Sequence, residues 1–413
     1  MSGWFTLFTN ARYVLDGALV EDHLVISDET GTILRREGYI GGDVVDLDDS
    51  IIAPGFLELH TNGANGFHFT HFGDENSYAQ QIDKIARYYA TQGVTGFWAT
   101  IPTVEAAEFH KILPSLAARD IPNSASLLGA HTEGPYLHPE KKGAHNASLF
   151  QTCDVPPSTI YGASNLSSSV KLVTVAPEIP GSANLIKTLT SSGIKVSMGH
   201  STASYSDGLA GLDAGATCLT HTLNAMPPFA SRIPGLAGLI SLPSTHKPAT
   251  PWYTIIPDGE HLHPATVSLL HKNNPKRSIL ITDSIELASL PDGTYPGHAQ
   301  IPFEQTKAGT RATIAGTDTL IGGCIPLQTG VRNLMSWSGC GIAEAVCSVT
   351  ENVAAFMGID GVGGRGVLRE GRRADLCVLN EAGEVLQTWV AGRKVWDKEE
   401  EMEQRENDGD ARG

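Results

Sequence analysis

Five residues that could bind a metal ion each follow a different short apolar run of this chain: His60, Glu133, His200, His221 and Asp283. Imidazole nitrogens and carboxylate oxygens suit zinc or a similar divalent cation, and three protein ligands leave one coordination position open for water. A single histidine at such a place is most often a hydrogen-bonded core or loop residue, and the chain has 15 histidines. The prediction of a metal site therefore depends on these side chains converging on one place in the fold.

The tetrapeptide His60-Thr61-Asn62-Gly63 contributes two weaker candidates for a metal contact, His60 and Asn62. Asparagine is an uncommon ligand, and either residue could simply shape a turn. The histidines without comparable placement are expected to have surface or packing roles; they are His23, His68, His71, His110, His246, His271 and His298.

The apolar runs alternate with helical patterns, which is typical of repeated βα units around a parallel sheet. We predict eight strands, at residues 55–60, 95–100, 127–132, 171–176, 194–199, 216–220, 252–257 and 278–283. After the first strand, SYAQQIDKIARYYATQG places its apolar residues on one helical face, and Gly93 stands where a C-capping glycine belongs. The predicted fold class is α/β, a closed (β/α)8 TIM-like barrel with its catalytic residues at the carboxyl ends of the strands. An open doubly wound sheet would offer a Gly-x-Gly-x-x-Gly turn after its first strand, and LHTNG differs from it.

Both ends of the chain contain β-prone pieces separated by tight-turn pairs, so we predict that the two ends complete one small sheet domain together. The predicted division assigns residues 1–53 and 361–397 to this domain and residues 54–360 to the barrel. Residues 398–413 have almost no apolar content and are predicted to form a disordered acidic tail.

Composition argues against several classes of protein. The 29 basic and 45 acidic residues give a net charge of −16, which disfavours nucleic acid or an anionic membrane as the main partner. The six cysteines form no Cys-x-x-Cys pair, so they indicate neither a disulfide framework nor a thiolate zinc site. With no run of eighteen apolar residues and no signal-peptide pattern, the chain is expected to be cytoplasmic.

Longer motifs run in order along nearly the whole chain: PGFLELHTNG, HTEGPYL, KKGAH, VTVAPE, GHS, THTLNAMPPFASRIPG, IPDGEHLHP, LITDSI, AGTDTLIGG and GRRADLCVL. Together they resemble the amidohydrolase superfamily and, within it, the deacetylases of N-acetylglucosamine 6-phosphate. The resemblance implies a β-sandwich from both chain ends beside a (β/α)8 barrel. It also implies hydrolysis of the acetamide of N-acetyl-D-glucosamine 6-phosphate to D-glucosamine 6-phosphate and acetate, in amino-sugar catabolism.

The same resemblance implies roles for single residues. Glu133, His200 and His221 would hold the metal. Asp283 would act as the catalytic acid and base, and His145 would contact the substrate and polarise its carbonyl. The substrate-binding positions would be Ala144, His145, Asn224, Ala225, Arg232, His261 and Thr319. In this family the arginine can come from the neighbouring subunit, so a homodimer is expected.

The end of the first strand departs from the family pattern. Many relatives carry Gln-x-Asn with one metal ion or His-x-His with two, whereas this chain has His60-Thr61-Asn62. This intermediate pattern permits one firmly held ion per subunit, zinc by preference, and a weaker second ion near His60. No carbamylated lysine is implied, because Glu133 takes the bridging-carboxylate role.

Two other functions stay open at the level of sequence. Another hydrolase of the superfamily, acting on a cyclic amide, a deaminase substrate or an N-acyl amino acid, would keep the metal ligands without needing Arg232 and His261. A non-catalytic scaffold would be expected to have lost metal ligands or the aspartate of the eighth strand. This chain retains all four of these residues: Glu133, His200, His221 and Asp283.

Overall fold

A computed structural model describes residues 4–35, 42–243, 245–298 and 300–410 of the protein. Its strands are β1 Phe5–Leu15, β2 Ala18–Glu21, β3 Leu24–Ser27, β4 Asp43–Pro54, β5 Phe56–Thr61, β6 Gly63–Ala64, β7 Phe67–His68, β8 Val94–Pro102, β9 Ser126–Glu133, β10 Val170–Val175, β11 Lys195–Met198, β12 Cys218–Leu219, β13 Trp252–Ile255, β14 Ser278–Leu280, β15 Gly293–Tyr295, β16 Gln305–Ala308, β17 Arg311–Ile314, β18 Leu376–Leu379, β19 Val385–Val390 and β20 Arg393–Asp397. Its α-helices are α1 Glu75–Ala90, α2 Ala106–Ile112, α3 Pro157–Tyr161, α4 Ala163–Ser168, α5 Ser182–Ser191, α6 Tyr205–Ala214, α7 Pro264–Asn273, α8 Leu327–Ser338, α9 Ile342–Cys347, α10 Glu351–Met357 and α11 Lys398–Asp410.

Eight parallel strands form the barrel, in the spatial order β14-β13-β12-β11-β10-β9-β8-β5. The first and last strands meet beyond their ends, where the amide of Asp283 donates to the carbonyl of His60 at 2.9 Å. The amide of Asn62 likewise donates to the carbonyl of Ser284 at 2.7 Å. Because both faces of such a sheet are covered, its strands are apolar runs, and all nine residues of β8 are buried. Each predicted barrel strand overlaps an observed one, and the predicted fold class is confirmed.

The end of helix α1 differs from its prediction by a few residues. Asp74 and Ser77 form a capping box at its start, and its apolar face is buried against the barrel. The helix ends earlier than predicted, since Thr91 is its C-cap and Gly93 lies beyond it. Gly93 has a φ of 80° in the turn that leads into β8, so its conformational freedom serves the turn rather than the cap.

Strands from both chain ends join in one sheet. Its order is β2-β1-β4-β18-β19-β20, and β3 pairs with the first residues of β1 on the edge opposite β4. Strand β4 pairs antiparallel with β18 and ends at Pro54, directly before the first barrel strand. The boundaries of the predicted domains stay a prediction, and residues 1–3, 36–41 and 411–413 of those ranges lie outside the described residues.

Two insertions lie at the carboxyl end of the barrel. The hairpin of β6 and β7 follows the first barrel strand, and a three-stranded antiparallel sheet, β15-β16-β17, follows the last. Residues of the first hairpin and of the segment between β15 and β16 line the cavity described below. The insertions therefore help to build the site that the barrel strands position.

The acidic segment after Asp397 differs from its prediction, because it is helical from Lys398 to Asp410 instead of disordered. Glutamate, glutamine, lysine and arginine all have high helix propensity, which the low apolar content does not cancel. Contacts also hold the helix start, since Lys394 donates to Glu400 at 2.6 Å and the indole of Trp396 donates to Glu401 at 2.7 Å. None of the helices in the described ranges has the length and apolar content that a membrane crossing requires.

Candidate active site

Three of the predicted metal ligands meet at the carboxyl end of the barrel. Oε1 of Glu133 lies 3.2 Å from Nε2 of His200 and 3.0 Å from Nε2 of His221. The two Nε2 atoms are 3.0 Å apart, and all three residues are buried. Ligands on a tetrahedral zinc ion at 2.0–2.1 Å are separated by about 3.4 Å. The three donor atoms therefore need to move apart only slightly to bind one divalent cation together.

The hydrogen bonding of His200 indicates what this triangle is built to hold. Its Nδ1 lies 2.8 Å from the carbonyl oxygen of Lys141, which can only accept a hydrogen bond. Nδ1 therefore carries a hydrogen, and in the neutral ring the lone pair of Nε2 faces Oε1 of Glu133. Two such lone pairs repel each other unless a proton or a cation lies between them, so the donor set fits a metal ion.

Strained backbone at the strand ends orients these ligands. The φ angles of His200, His221 and Asp283 are 48°, 30° and 47°, in the left-handed region that residues with a side chain rarely adopt. Such conformations cost on the order of 1–3 kcal/mol each and persist only where the surrounding structure imposes them. The barrel thus keeps three strained residues in the site.

A second group of ligands overlaps the first through Glu133. Nε2 of His60 lies 3.4 Å from Oε2 of Glu133 and 3.2 Å from Oδ1 of Asp283. Asn62 donates from Nδ2 to the same Asp283 oxygen at 2.8 Å, and its Oδ1 is buried without a hydrogen-bond partner among the described residues. The weaker candidates of the first strand therefore do lie at this site, beside the predicted acid-base residue.

His145 reaches the site from a loop. The amide of Thr103 donates to Nδ1 of His145 at 3.3 Å, so the hydrogen of the neutral ring is on Nε2. Nε2 lies 3.5 Å from Oε2 of Glu133. Burial lowers the pKa of His145 and keeps the ring neutral. It can therefore donate a hydrogen bond to a carbonyl bound next to Glu133.

The two carboxylates of the site are ionised despite their burial. Burial alone would raise the pKa of Glu133, but the charge of His60 and contacts with three other histidines hold it well below its usual range. Burial also opposes ionisation of Asp283, whose pKa is lowered by His60. Burial alone would lower the pKa of His60, but the carboxylates of Glu133 and Asp283 raise it well above its ordinary value. A bound cation would displace a proton held by His60, because metal binding competes with protonation of the ligands.

A cavity of about 180 Å³ is lined by Glu133, His145, His200, His221 and Asp283, and His60 is not part of its lining. Four predicted substrate-binding residues besides His145 also line it, and they are Ala144, Asn224, Ala225 and His261. Nδ2 of Asn224 is buried and has no hydrogen-bond partner within the described ranges, so it can donate to a bound molecule. Nδ1 of His261 donates to Oδ2 of Asp258 at 2.6 Å, which leaves Nε2 free.

Two predicted substrate-binding residues do not line this cavity. Thr319 is exposed, although the next residue, Leu320, is part of the lining. Arg232 is exposed on the loop that follows β12. Its neighbours Phe229 and Ile233 are 61% and 67% exposed, which is unusual for large apolar side chains. Within one chain, therefore, the structure does not bring the arginine to the cavity.

Reasoning from single sequence positions missed the residues that hold the ligands. Glu178 accepts hydrogen bonds from the Ser201 hydroxyl and the Thr202 amide, both at 2.6 Å, and so fixes the loop that follows His200. The motif VTVAPE contains Glu178, but its role became visible only in three dimensions. Thr103, which orients His145, has no comparable sequence signal.

Comparison with known proteins agrees with this geometry. The profile of the Amidohydrolase family matches residues 51–395. N-acetylglucosamine-6-phosphate deacetylase from Danio rerio is 34% identical, over 94% of this chain and 92% of its own. N-acetylgalactosamine-6-phosphate deacetylase from Escherichia coli O157:H7 is 31% identical, over 92% of this chain and 97% of its own.

The same relationship is visible in three dimensions. The structure of a mutant N-acetyl-D-glucosamine-6-phosphate deacetylase from Mycobacterium smegmatis, in complex with N-acetyl-D-glucosamine-6-phosphate, superposes with a TM-score of 0.81. It is 27% identical and covers 95% of this chain and 100% of its own. The chain therefore belongs to the amidohydrolase family and, within it, is a relative of the N-acetylglucosamine-6-phosphate deacetylases.

Proposed function

We propose that this protein hydrolyses the acetamide of N-acetyl-D-glucosamine 6-phosphate, giving D-glucosamine 6-phosphate and acetate. The observation that carries the proposal is the convergence of Glu133, His200 and His221 with Asp283 and His145 around one cavity. The names of the full-length relatives support the choice of substrate.

Glu133, His200 and His221 would hold the catalytic cation, and their donor set favours zinc. When bound, a cation of this class polarises a carbonyl and lowers the pKa of its water toward about 7. A weaker second ion would bind next to the first, near His60 and Asn62. His60 forms a second group of possible ligands with Glu133 and Asp283, and this group shares Glu133 with the first group of ligands.

The protein's own residues would handle the protons of the reaction. Asp283 takes the proton of the attacking water and delivers it to the sugar nitrogen as the C–N bond breaks. Asn62 holds the carboxylate of Asp283 in place by its hydrogen bond. His145 donates from Nε2 to the oxyanion that develops from the amide carbonyl, a contribution worth about 2.7–4 kcal/mol per donor in other enzymes.

Recognition of the phosphate would use residues from two subunits. His261 and Asn224 line the cavity of one subunit, and Arg232 of the neighbouring subunit would complete the site as part of a homodimer. The exposed Phe229 and Ile233 beside Arg232 favour such an interface, because large apolar side chains are seldom left in water together. Arginine suits phosphate through its bidentate geometry. The cytoplasmic location expected from the sequence stays a prediction.

The decisive experiment measures acetate release by the purified, zinc-loaded protein. We expect rapid hydrolysis of N-acetyl-D-glucosamine 6-phosphate and slow hydrolysis of the unphosphorylated sugar. N-acetyl-D-galactosamine 6-phosphate is tested in parallel, since one relative is named for that epimer. Equal rates for phosphorylated and unphosphorylated sugars would overturn the substrate assignment, and no release from any of the three would overturn the deacetylase function.

A further inference from the structure

A second cluster of metal-binding side chains lies where the β6-β7 hairpin meets the insertion after the eighth barrel strand. His68, Glu286 and His298 each place one donor atom within 4.8 Å of the other two. We propose that these three residues form an additional zinc site in the wall of the active-site cavity. From the sequence alone, both histidines are expected to have surface or packing roles.

The cluster is buried, yet several of its polar atoms are not satisfied by protein. His68 and Glu286 are 2% and 7% exposed, and the side chain of His298 is 11% exposed. Both ring nitrogens of His298 and Oε2 of Glu286 lack hydrogen-bond partners in the part of the chain that the structure describes. Buried polar groups are nearly always hydrogen-bonded. Three unpartnered atoms on adjacent side chains therefore point to a ligand between them.

The spacing and chemistry of the donors suit zinc. Nε2 of His298 lies 3.4 Å from Oε1 of Glu286, which matches the separation of about 3.4 Å between two ligands of a tetrahedral zinc ion. The ring centroids of His68 and His298 are 5.0 Å apart. Two imidazoles and a carboxylate are a ligand set that zinc uses in proteins, with one position left for water.

Outer contacts hold the proposed ligands in place. Thr70 fixes the His68 ring, since its hydroxyl lies 2.7 Å and its amide nitrogen 3.2 Å from Nδ1. Zinc binding through Nε2 requires Nδ1 to carry the hydrogen and to donate it to the Thr70 hydroxyl. Gln305 donates to Oε1 of Glu286 at 3.1 Å. Such second contacts orient metal ligands in known sites. His71 adds an exposed imidazole beside the cluster, with its ring centroid 4.8 Å from that of His298.

A metal ion here would connect three separate segments of the cavity wall. His68 itself lines the cavity, as do Ile285, which precedes Glu286, and Gln300, which follows close after His298. The cluster shares no residue with the two catalytic groups that contain Glu133. Zinc at this place would therefore tie these segments of the wall together through ligands separate from the groups around Glu133.

The test is the amount of zinc bound by protein that lacks the catalytic cation. Full-length Glu133→Ala/His200→Ala protein is stripped with dipicolinate, reloaded with zinc sulfate and desalted, since Glu133 belongs to both catalytic groups. We expect it to retain about one zinc per chain, and the further change His298→Ala or Glu286→Gln to remove this zinc. Cobalt loaded into the same protein should give a visible absorption band that disappears with either change.

His110→Ala in the same background is the matched control, because His110 is exposed and lies outside both clusters. As a second arm, His298→Ala and Glu286→Gln in the otherwise native chain should each bind about one zinc fewer than the wild type. Circular dichroism verifies that each variant is folded. The proposal is overturned if the Glu133→Ala/His200→Ala protein binds no zinc, or if neither His298→Ala nor Glu286→Gln lowers the zinc content. Neither readout requires the protein to be a deacetylase.

Discussion

Two buried carboxylates of the cavity have different neighbours and therefore suit different tasks. Glu133 contacts histidine nitrogens through both of its oxygens, as a metal ligand should. Asn62 and His60 both contact Oδ1 of Asp283, which leaves Oδ2 for a reacting water. The side chain of Asp283 is also more exposed, at 15% against 4% for Glu133. Position relative to the histidines, more than residue type, distinguishes the proposed metal ligand Glu133 from the proposed base Asp283.

Replacing Asp283 with asparagine tests this separation. The amide keeps the shape of the side chain but cannot accept the proton of the water, so kcat should fall by about 10²–10⁴-fold. Acetate release and bound metal are measured on the same preparation, and the metal content should stay close to that of the wild type. Activity near the wild-type level with metal bound would remove Asp283 from the mechanism.

The pH dependence of substrate binding tests the proposed role of His261. Burial alone would lower the pKa of His261, but the Asp258 carboxylate more than offsets this and raises it. The imidazolium thus persists above pH 6.5 and loses its proton as the pH rises through the raised pKa. KM for the phosphorylated sugar should therefore rise over this range, while KM for the unphosphorylated sugar should not. His261→Asn should abolish the difference, and a ratio of the two KM values that is independent of pH would contradict the role.

At the level of elements, the loop after β11 is restrained directly after His200. Glu178 binds Ser201 and Thr202, and helix α6 starts immediately afterwards with a capping box between Ser204 and Asp207. The strained backbone of His200 lies just before these restraints. The loop can therefore hold His200 in an unfavourable backbone conformation, because the residues that follow it are fixed.

Removing the cap of α6 should weaken this arrangement. Ser204→Ala should lower the free energy of unfolding by about 0.5–2 kcal/mol, because the orphan amide of Asp207 loses its acceptor. Urea denaturation of the metal-free protein measures the change. Ser204→Thr keeps a capping hydroxyl and serves as the matched control. Equal midpoints for the wild type and Ser204→Ala would show that the cap contributes nothing to stability.

At the level of the whole molecule, one chain builds the catalytic centre but leaves the predicted phosphate-binding arginine outside it. Barrel closure brings His60 and Asp283 together from opposite ends of the eight-stranded sheet. Arg232 remains exposed beside Phe229 and Ile233. The residues proposed for the chemistry therefore meet within one subunit, whereas the proposed phosphate recognition requires a second copy.

Mixing two impaired variants tests the dimer directly. Asp283→Asn and Arg232→Ala should each have low activity on the phosphorylated sugar. In a mixed dimer, one site would combine both defects and the other would contain neither, so random mixing should restore about a quarter of the wild-type activity. Refolding or subunit exchange before the assay allows the mixed dimers to form. If the mixture shows only the average of the two variants, Arg232 does not act across a subunit interface.

The sequence by itself determined the barrel and the residues at its mouth. Strands covered on both faces must be apolar, and polar residues at their ends stand out against such runs, as Glu133 and His221 do. Parallel strands also direct their carboxyl ends to one side, so the convergence of these residues follows from topology. The resemblance to known motifs then indicated roles for His145, Asn224 and His261, whose loops carry no periodic signal.

Only the tertiary structure decided which remaining polar groups meet and which do not. His68 and His298 are expected from the sequence to have surface or packing roles, because the residues that surround them come from distant parts of the chain. The exposed position of Arg232 and the tie between Glu178 and the His200 loop were hidden for the same reason. The terminal helix was missed because low apolar content describes packing, whereas backbone hydrogen bonds and contacts such as that of Trp396 decide whether a segment is helical. The local sequence pattern indicates which residues are buried, whereas contacts between distant parts of the chain determine which polar groups meet.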